Sequence, residues 1–197
     1  MPRPGTPAGA TNGAERDGES NTNLTEVTMS STDVETEGST EMPEPGTIAM
    51  KLEVINLPVS DVDRAKAFYQ KLGWRMDGDF AVGEDFRAVQ LTPPGSQCSI
   101  TFGKGVTTAA PGSVQDLMLI VHDIGPARDD LISRGVEVSE IYHYEGRPFH
   151  SAGTEARVQG PDPDGRSYFT WASFSDPDGN GWLLQEIKTR LPGREWT

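Results

Sequence analysis

The stretch LPVSDVDRAKAFYQKLG, from Leu57 to Gly73, decides the fold because it recurs as LIVHDIGPARDDLISRG, from Leu119 to Gly135. The two copies align without a gap at an offset of 62 residues (119 − 57 = 62). Seven positions pair in identity or residue type: Leu57/Leu119, Val59/Val121, Asp61/Asp123, Val62/Ile124, Ala65/Ala127, Lys66/Arg128 and Gly73/Gly135. This much similarity at a fixed offset indicates an internal repeat.

Each copy of the repeat predicts a strand followed by a capped helix. Apolar residues up to Val59 form the first strand, Ser60 or Asp61 caps the helix, and Gly73 ends it. In the second copy, Asp123 is the cap and Gly135 ends the helix. Turn residues then separate three further strands in each copy, at about 74–80, 86–92 and 97–103, and at 136–142, 167–175 and 181–187. The sequence therefore predicts an α+β fold made of two βαβββ modules.

The second module contains an insertion that the first module lacks. The turn glycines Gly95 and Gly179 lie 84 residues apart, which leaves 84 − 62 = 22 additional residues at about 143–166. This segment includes His143, Arg147 and His150. Because long loops in compact domains are more often functional than decorative, we expect it to lie over or beside a binding site.

Charge is distributed unevenly along the 197 residues, which carry 30 acidic and 17 basic side chains, a net charge of −13. Residues 1–48 hold 9 Asp/Glu and 2 Arg, and they contain no aromatic residue. Such a segment cannot bury enough apolar surface to offset the entropy of ordering. We expect a disordered acidic tail at 1–48, a single domain at 49–190 with modules at about 50–105 and 113–188, and a C-terminal tail at 191–197.

The composition also limits the class of partner. A strongly acidic protein lacks the basic surface that nucleic acid or an anionic membrane requires, so a basic or neutral small molecule fits better. No apolar run approaches the length of about 18 residues that a membrane span needs, and the N-terminus lacks a signal-peptide pattern. With one cysteine, Cys98, there is no disulfide framework. The expected compartment is the cytoplasm.

Two motifs carry a family resemblance: V-x-D before each helix, and SDPDGNGWLLQE from Ser175 to Glu186. With the doubled βαβββ unit, they make residues from Met50 to about Lys188 resemble the vicinal oxygen chelate superfamily. Glyoxalase I, extradiol dioxygenases, fosfomycin-resistance enzymes and bleomycin-resistance proteins belong to it. The resemblance implies a cupped, open-barrel mixed sheet with helices on its convex face and a ligand on its concave face. It also implies a homodimer.

The resemblance gives a test for a metal site, because the metal enzymes of this superfamily draw ligands from the first and last strand of each half. The matching positions are Val54, Ser99, Asp116 and Leu183. A divalent ion needs three or four N, O or S donors, whereas this set offers one carboxylate and one hydroxyl. We therefore expect no metal and no other cofactor. The alternative is a non-standard metal site built from Asp116, His143, Glu145 and His150.

Strand alternation predicts which side chains reach the concave face. Together with a residue of the insertion, they form an apolar pocket with few polar groups, as is typical of small-molecule sites. The expected ligand-binding residues are Asn56, Ser99, Thr101, Met118, Arg147, Leu183 and Gln185. We expect Arg147 to hold a carboxylate or phosphate.

Three residues are candidates for catalysis. His143 or His150 would act as a general base near neutral pH. Asp116 would act as a base or as the counter-ion of a cationic ligand.

Three functions remain open at this point. The first is a metal-free protein that binds a small ligand, similar to bleomycin-resistance proteins. The second is an enzyme of the same fold, either a metal-dependent lyase or dioxygenase with atypical ligands or a metal-free isomerase or hydrolase that uses a histidine of the insertion. The third is a non-catalytic interaction protein.

Overall fold

The computed structural model of the protein describes residues 46, 48 and 50–192. The predicted acidic tail at 1–48 and the predicted C-terminal tail at 191–197 lie almost entirely outside the described residues. The unit that starts at Ile48 holds all the elements below. Neither helix of the described part of the chain is long and apolar enough to cross a membrane.

The first module is a four-stranded mixed sheet with one helix. Its strands have the order β1-β4-β3-β2, in which β1 is parallel to β4 and the other pairs are antiparallel. The elements are β1 (Val54–Asn56), α1 (Val62–Lys71), β2 (Arg75–Val82), β3 (Phe86–Thr92) and β4 (Ser99–Lys104).

The second module repeats this arrangement and extends it by one strand. Its order is β5-β9-β8-β6-β7, with β5 parallel to β9 and the remaining pairs antiparallel. The elements are β5 (Leu117–Val121), α2 (Ile124–Ser133), β6 (Tyr142–Tyr144), β7 (Arg157–Gln159), β8 (Thr170–Ser175) and β9 (Gly181–Glu186). The predicted α+β fold with two βαβββ modules is confirmed, and neither sheet closes into a barrel.

One predicted strand of the second module differs from the structure. Instead of a strand over 136–142, the chain makes an isolated bridge between Val138 and Phe174 and then forms β6. Ser139 interrupts the ladder, because its hydroxyl accepts the Ser173 N–H at 2.9 Å and its carbonyl also accepts from Arg128 Nε at 2.7 Å. The predicted insertion is also partly ordered as sheet, since it supplies β7.

Aspartates cap both helices, as the repeat predicts. The Asp61 carboxylate accepts the N–H groups of Asp63 and Arg64, each at 3.0 Å, and Asp123 accepts the Gly125 N–H at 3.2 Å. Each cap satisfies backbone donors that a helix N-terminus leaves without intrahelical partners.

The helix-bearing faces of the two sheets share one apolar core. Tyr69 of α1 is 0% exposed, and its ring centroid lies 4.9 Å from that of Trp74 and 6.1 Å from that of Trp182 in β9. Phe102 and Leu184, from the last strand of each module, belong to the same cluster. Burial of these apolar side chains is the main favourable contribution to folding and holds the two modules together.

The turn at Asp176–Asn180 also holds the modules together. Asp176 accepts the Tyr69 hydroxyl at 2.9 Å, and that hydroxyl in turn accepts the Trp182 indole N–H at 3.1 Å. Asn180 donates to the Pro58 carbonyl at 3.0 Å. Burial, with the neighbouring Asp176 charge, raises the pKa of Tyr69, so its hydroxyl remains a donor.

Candidate functional site

Each described sheet carries a helix on one face and leaves its other face free of helices. In the second sheet, alternation sends Leu119, Phe174 and Leu184 into the core beneath the helices. The opposite side chains form what we call the aromatic face: Met118, Ile120, Tyr142, Tyr144, Trp171, Ser173, Leu183 and Gln185.

The aromatic face holds a cavity of about 620 Å³, here called the aromatic cavity. Its wall is largely apolar and is lined by Met118, Ile120, Pro148, Phe149, Tyr168, Phe169, Trp171, Ile187 and Leu191, together with the polar residues His150, Ser167, Gln185 and Arg190. Phe149 is 76% exposed at its mouth, whereas Trp171 is 1% exposed. The Gln185 amide donates to the Tyr168 carbonyl at 3.0 Å. The size and lining are typical of a site for a small organic molecule.

A second cavity of about 500 Å³, here called the polar cavity, lies at the edge of the same face, where Phe174 and Trp182 of the core also line it. Asp116, Arg157, Ser173 and Leu183 line it. Trp171 in the first cavity and Ser173 in the second are two residues apart on β8, so about 7 Å separates them along the strand. The two cavities are therefore neighbours along β8.

His150 of the insertion links the two cavities. The Tyr144 hydroxyl donates to the Ser151 carbonyl at 3.0 Å, which leaves its oxygen to accept from His150 Nδ1 at 3.2 Å. The other ring nitrogen, Nε2, lies 3.1 Å from an Asp116 carboxylate oxygen but lacks the alignment of a hydrogen bond. Tyr144 therefore orients the imidazole, and Asp116 provides a negative charge beside it. An arrangement of this kind can hold or transfer a proton.

Asp116 is positioned by an unusual backbone conformation. Its φ is +62°, in the left-handed region that aspartate tolerates better than most residues. The sequence predicted that Asp116 takes part in the alternation of the strand that became β5. In the structure Asp116 precedes β5 and does not continue that alternation.

Three buried donors on the aromatic face have no hydrogen-bond partner among the described residues: Arg157 Nε, the Tyr142 hydroxyl and Trp171 Nε1. The Arg157 guanidinium lies 4.1 Å from the Tyr142 ring centroid, and its Nη1 donates to Ser173 Oγ at 3.4 Å. Burial raises the pKa of Tyr142 to about 12, so the hydroxyl keeps its proton at neutral pH. Unpaired buried donors are costly unless a ligand or water accepts from them.

The structure separates the two histidines of the predicted site. His143 alternates with Tyr142 and Tyr144 and so points away from the aromatic face, where its Nδ1 lies 2.9 Å from the Gly160 carbonyl. Arg147 is exposed and donates to Ser151 Oγ at 3.0 Å. Of the predicted set, only Asp116, Met118, His150, Leu183 and Gln185 line the two cavities.

The other predicted residues lie on the free face of the first sheet. Ser99 is buried, with its Oγ 2.7 Å from Thr92 Oγ1 and accepting from Gln90 Nε2 at 3.3 Å. Thr101 lines a cavity of only about 110 Å³, and Asn56 is its paired residue on the neighbouring strand β1. Here polar side chains bond to one another, which leaves little room for a ligand.

Strand pairing revises one equivalence between the modules. Asn56 pairs with Thr101 and Met118 pairs with Leu183, so Thr101, rather than Ser99, corresponds to Leu183. The turn glycines suggested Ser99 because the first module has two more residues than the second between its turn glycine and the equivalent position of the last strand. Ser96 accommodates them by bonding to both the Cys98 N–H and the Cys98 carbonyl.

The side chains at the superfamily's metal positions do not fit a divalent ion in either register. Val54 and Leu183 have no donor atom, the Ser99 hydroxyl is bonded to Thr92, and Thr101, which replaces Ser99 in the revised register, again offers one hydroxyl in addition to the Asp116 carboxylate. Among the described residues, no group of three His, Cys, Asp or Glu side chains could hold a metal ion. Asp116 and His150 do meet, but His143 points away from them.

Sequence reasoning missed Arg157, because the insertion was interpreted as loop throughout. The sequence carried no signal for Arg157, because its position opposite Tyr144 in a short strand is visible only in the paired structure. Trp171 also lines the aromatic cavity, although it was not among the predicted site residues.

Comparison with known proteins agrees with the fold. Residues 54–84 match the family described as "Bleomycin resistance protein-like N-terminal". TnmS3, described as an antibiotic binding protein from Streptomyces sp. CB03234, is 26% identical with a TM-score of 0.52, over 72% of this chain and 99% of that one. A member of the glyoxalase/bleomycin resistance protein/dioxygenase superfamily from Sphaerobacter thermophilus DSM 20745 is 25% identical with a TM-score of 0.51, over 70% and 98% of the two chains. No curated protein matches.

Proposed function

The chain belongs to the vicinal oxygen chelate superfamily, and from this premise we propose that it binds a small organic molecule on its aromatic face without the superfamily's usual metal ion. The observation that carries the proposal is the aromatic cavity. Its volume of about 620 Å³ suits a drug-sized ligand, and its wall of Trp171, Tyr168 and Phe169 suits a flat, apolar one. The similarity to TnmS3 supports a binding role.

Binding can be tested with the fluorescent dye anilinonaphthalene sulfonate, which becomes bright in apolar sites. We expect saturable binding that Phe149→Ala weakens about threefold to tenfold, because Phe149 is exposed at the cavity mouth and its loss costs the fold little. Ile132→Ala, an exposed apolar residue of α2, is the matched control and should leave the affinity unchanged. Equal affinities for the native protein and the Phe149 variant would contradict the proposal.

A metal-free enzyme is the second candidate function, and the Tyr144–His150–Asp116 arrangement favours it. The His150 imidazole is oriented by Tyr144 on one side and lies beside the Asp116 carboxylate on the other, so it can accept a proton from a bound substrate. In this case the His150→Gln variant should still bind the ligand but should no longer convert it. Mass spectrometry of the ligand measures the conversion. Unchanged conversion in the variant would exclude His150 as the base.

We also propose that the protein is a homodimer. Phe80, Val82 and Phe86 are exposed around the β2–β3 hairpin, where a second copy would cover them. Analytical ultracentrifugation tests this directly. Phe80→Asp should shift a dimer toward monomer, whereas a native protein that sediments as a monomer would refute the proposal.

The proposed compartment is the cytoplasm, and the proposed partner is a small molecule rather than nucleic acid or membrane. The net charge of −13 supports this choice of partner. Cell fractionation with an antibody against the native protein would test the location.

A further inference from the structure

We infer that the polar cavity receives the acidic group of the ligand, so that the ligand is a planar aromatic molecule bearing a carboxylate or a similar oxyanion. The inference rests on the proposed function and specifies the class of ligand. It departs from the expectation of a basic or neutral ligand that net charge alone suggests.

The first reason is the kind of polar atom left unpaired. Arg157 Nε, the Tyr142 hydroxyl and Trp171 Nε1 are hydrogen-bond donors on the aromatic face, whereas the fourth unpaired atom there, His150 Nε2, lies beside the Asp116 carboxylate. Trp171 is 1% exposed and Tyr142 is 4% exposed, so water reaches them poorly. Of the three donors, Arg157 lines the polar cavity, so a ligand that pairs with it there must supply an acceptor, and an oxyanion is the strongest acceptor available.

The second reason is the local charge. Asp116, Glu137 and Asp176 line the polar cavity with Arg157, yet no described carboxylate lies within ion-pair distance of Arg157. Asp176 already accepts from Tyr69, Asn180 and the Asp178 N–H, and Asp116 lies beside His150. Glu137 is exposed. The guanidinium charge is therefore left for a ligand to neutralise.

The third reason is the geometry of the guanidinium. Arg157 rests on the Tyr142 ring at 4.1 Å, which fixes its plane, and its one side-chain hydrogen bond, to Ser173 Oγ, is long at 3.4 Å. An arginine held in this way can exchange that weak bond for a two-point contact with a carboxylate. The aromatic part of the same ligand would then lie against Trp171, about 7 Å along β8.

Three probes of similar shape test the inference: naphthoate, naphthalenemethanol and naphthylmethylamine, measured by isothermal titration calorimetry with the native protein. We expect naphthoate to bind about tenfold more tightly than the alcohol, and the amine to bind most weakly. Arg157→Gln should weaken naphthoate binding about tenfold and leave the alcohol unchanged. Arg134→Gln makes the same change of charge at the C-cap of α2 and should alter neither affinity.

The outcomes separate this inference from the proposed function. If the native protein binds all three probes equally, or if Arg157→Gln leaves naphthoate binding unchanged, the inference is wrong while the proposed function stands. If no probe binds at millimolar concentration, both fail. Should Arg157→Gln lose its thermal transition, the ranking of the three probes by the native protein decides the question.

Discussion

The two modules share a repeat and a core but differ in their free faces. In both, an aspartate caps the helix and the last strand packs against a common core through Phe102 or Leu184. On the free face of the first sheet, Ser99, Thr92 and Gln90 bond to one another beside a cavity of about 110 Å³. The second sheet instead presents two cavities of about 620 and 500 Å³.

This difference traces to the insertion. It supplies β7 with Arg157, as well as His150 and Phe149 around the aromatic cavity. The repeat therefore accounts for the fold, whereas the segment that breaks the repeat accounts for the candidate site. The predictions below test how far the modules depend on one another and how far their faces differ.

The largest expected effect is on the shared core. Phe102→Ala should lower the free energy of unfolding by about 3–5 kcal/mol, because it removes a fully buried ring and leaves a cavity. Both modules should still unfold in one transition, followed by tryptophan fluorescence in urea. Two separate transitions would show that the modules are independent.

A smaller effect is expected where the Asp176 turn meets the first module. Tyr69→Phe should cost about 1–3 kcal/mol, since it removes a donor from buried Asp176 and an acceptor from the Trp182 indole. Phe68→Leu, on the same helix and only partly buried, serves as a comparison. The measurement is urea denaturation, and a Tyr69 variant as stable as the native protein would contradict this account of the turn.

Acid should weaken a contact specific to the second module. A hydrogen bond from Arg166 lowers the pKa of Asp162 to about 2 from its ordinary 3.8. A carboxyl with a lowered pKa contributes stability above its unfolded-state pKa and loses it as pH falls toward the folded-state value. Asp162→Asn should therefore lower Tm by a few degrees at neutral pH, and the difference should shrink between about pH 4 and 2. A Tm difference between the variant and the native protein that stays constant with pH would contradict the link between Asp162 ionisation and stability.

The smallest effect is expected on the first free face. Gln90→Ala removes a side chain that bonds to Ser99, and it should leave the affinity for anilinonaphthalene sulfonate unchanged within error. A loss comparable to that of Phe149→Ala would mean that the first face also contributes to binding, and the contrast between the modules would then be overstated.

Local sequence signals predict the fold well, because caps and strand alternation depend on near neighbours. Asp61 and Asp123 cap their helices as expected, and β3 spans 86–92 as predicted. The interruption at Ser139 was not predictable, because it depends on Ser173 and Arg128, which are distant in sequence. The alternative metal site suggested by the sequence grouped Asp116 with His150, but the contact between them depends on tertiary structure for the same reason.

The candidate site is therefore only partly predictable. The sequence singled out His150, Met118 and Gln185, which do line the aromatic cavity, but it grouped them with residues of the other sheet. Which face of which sheet receives a loop is decided by tertiary contacts. No spacing rule in the sequence encodes such contacts.

The turn at Asp176–Asn180 has a consequence for protein engineering. Its contacts with Ser60, Tyr69 and Pro58 do not depend on the peptide connection between the modules. If the chain were cut in the connecting segment at 105–112, the two fragments would still have complementary surfaces on which to reassemble. Such a pair could serve as a split reporter, in which a ligand bound to the second fragment stabilises its association with the first.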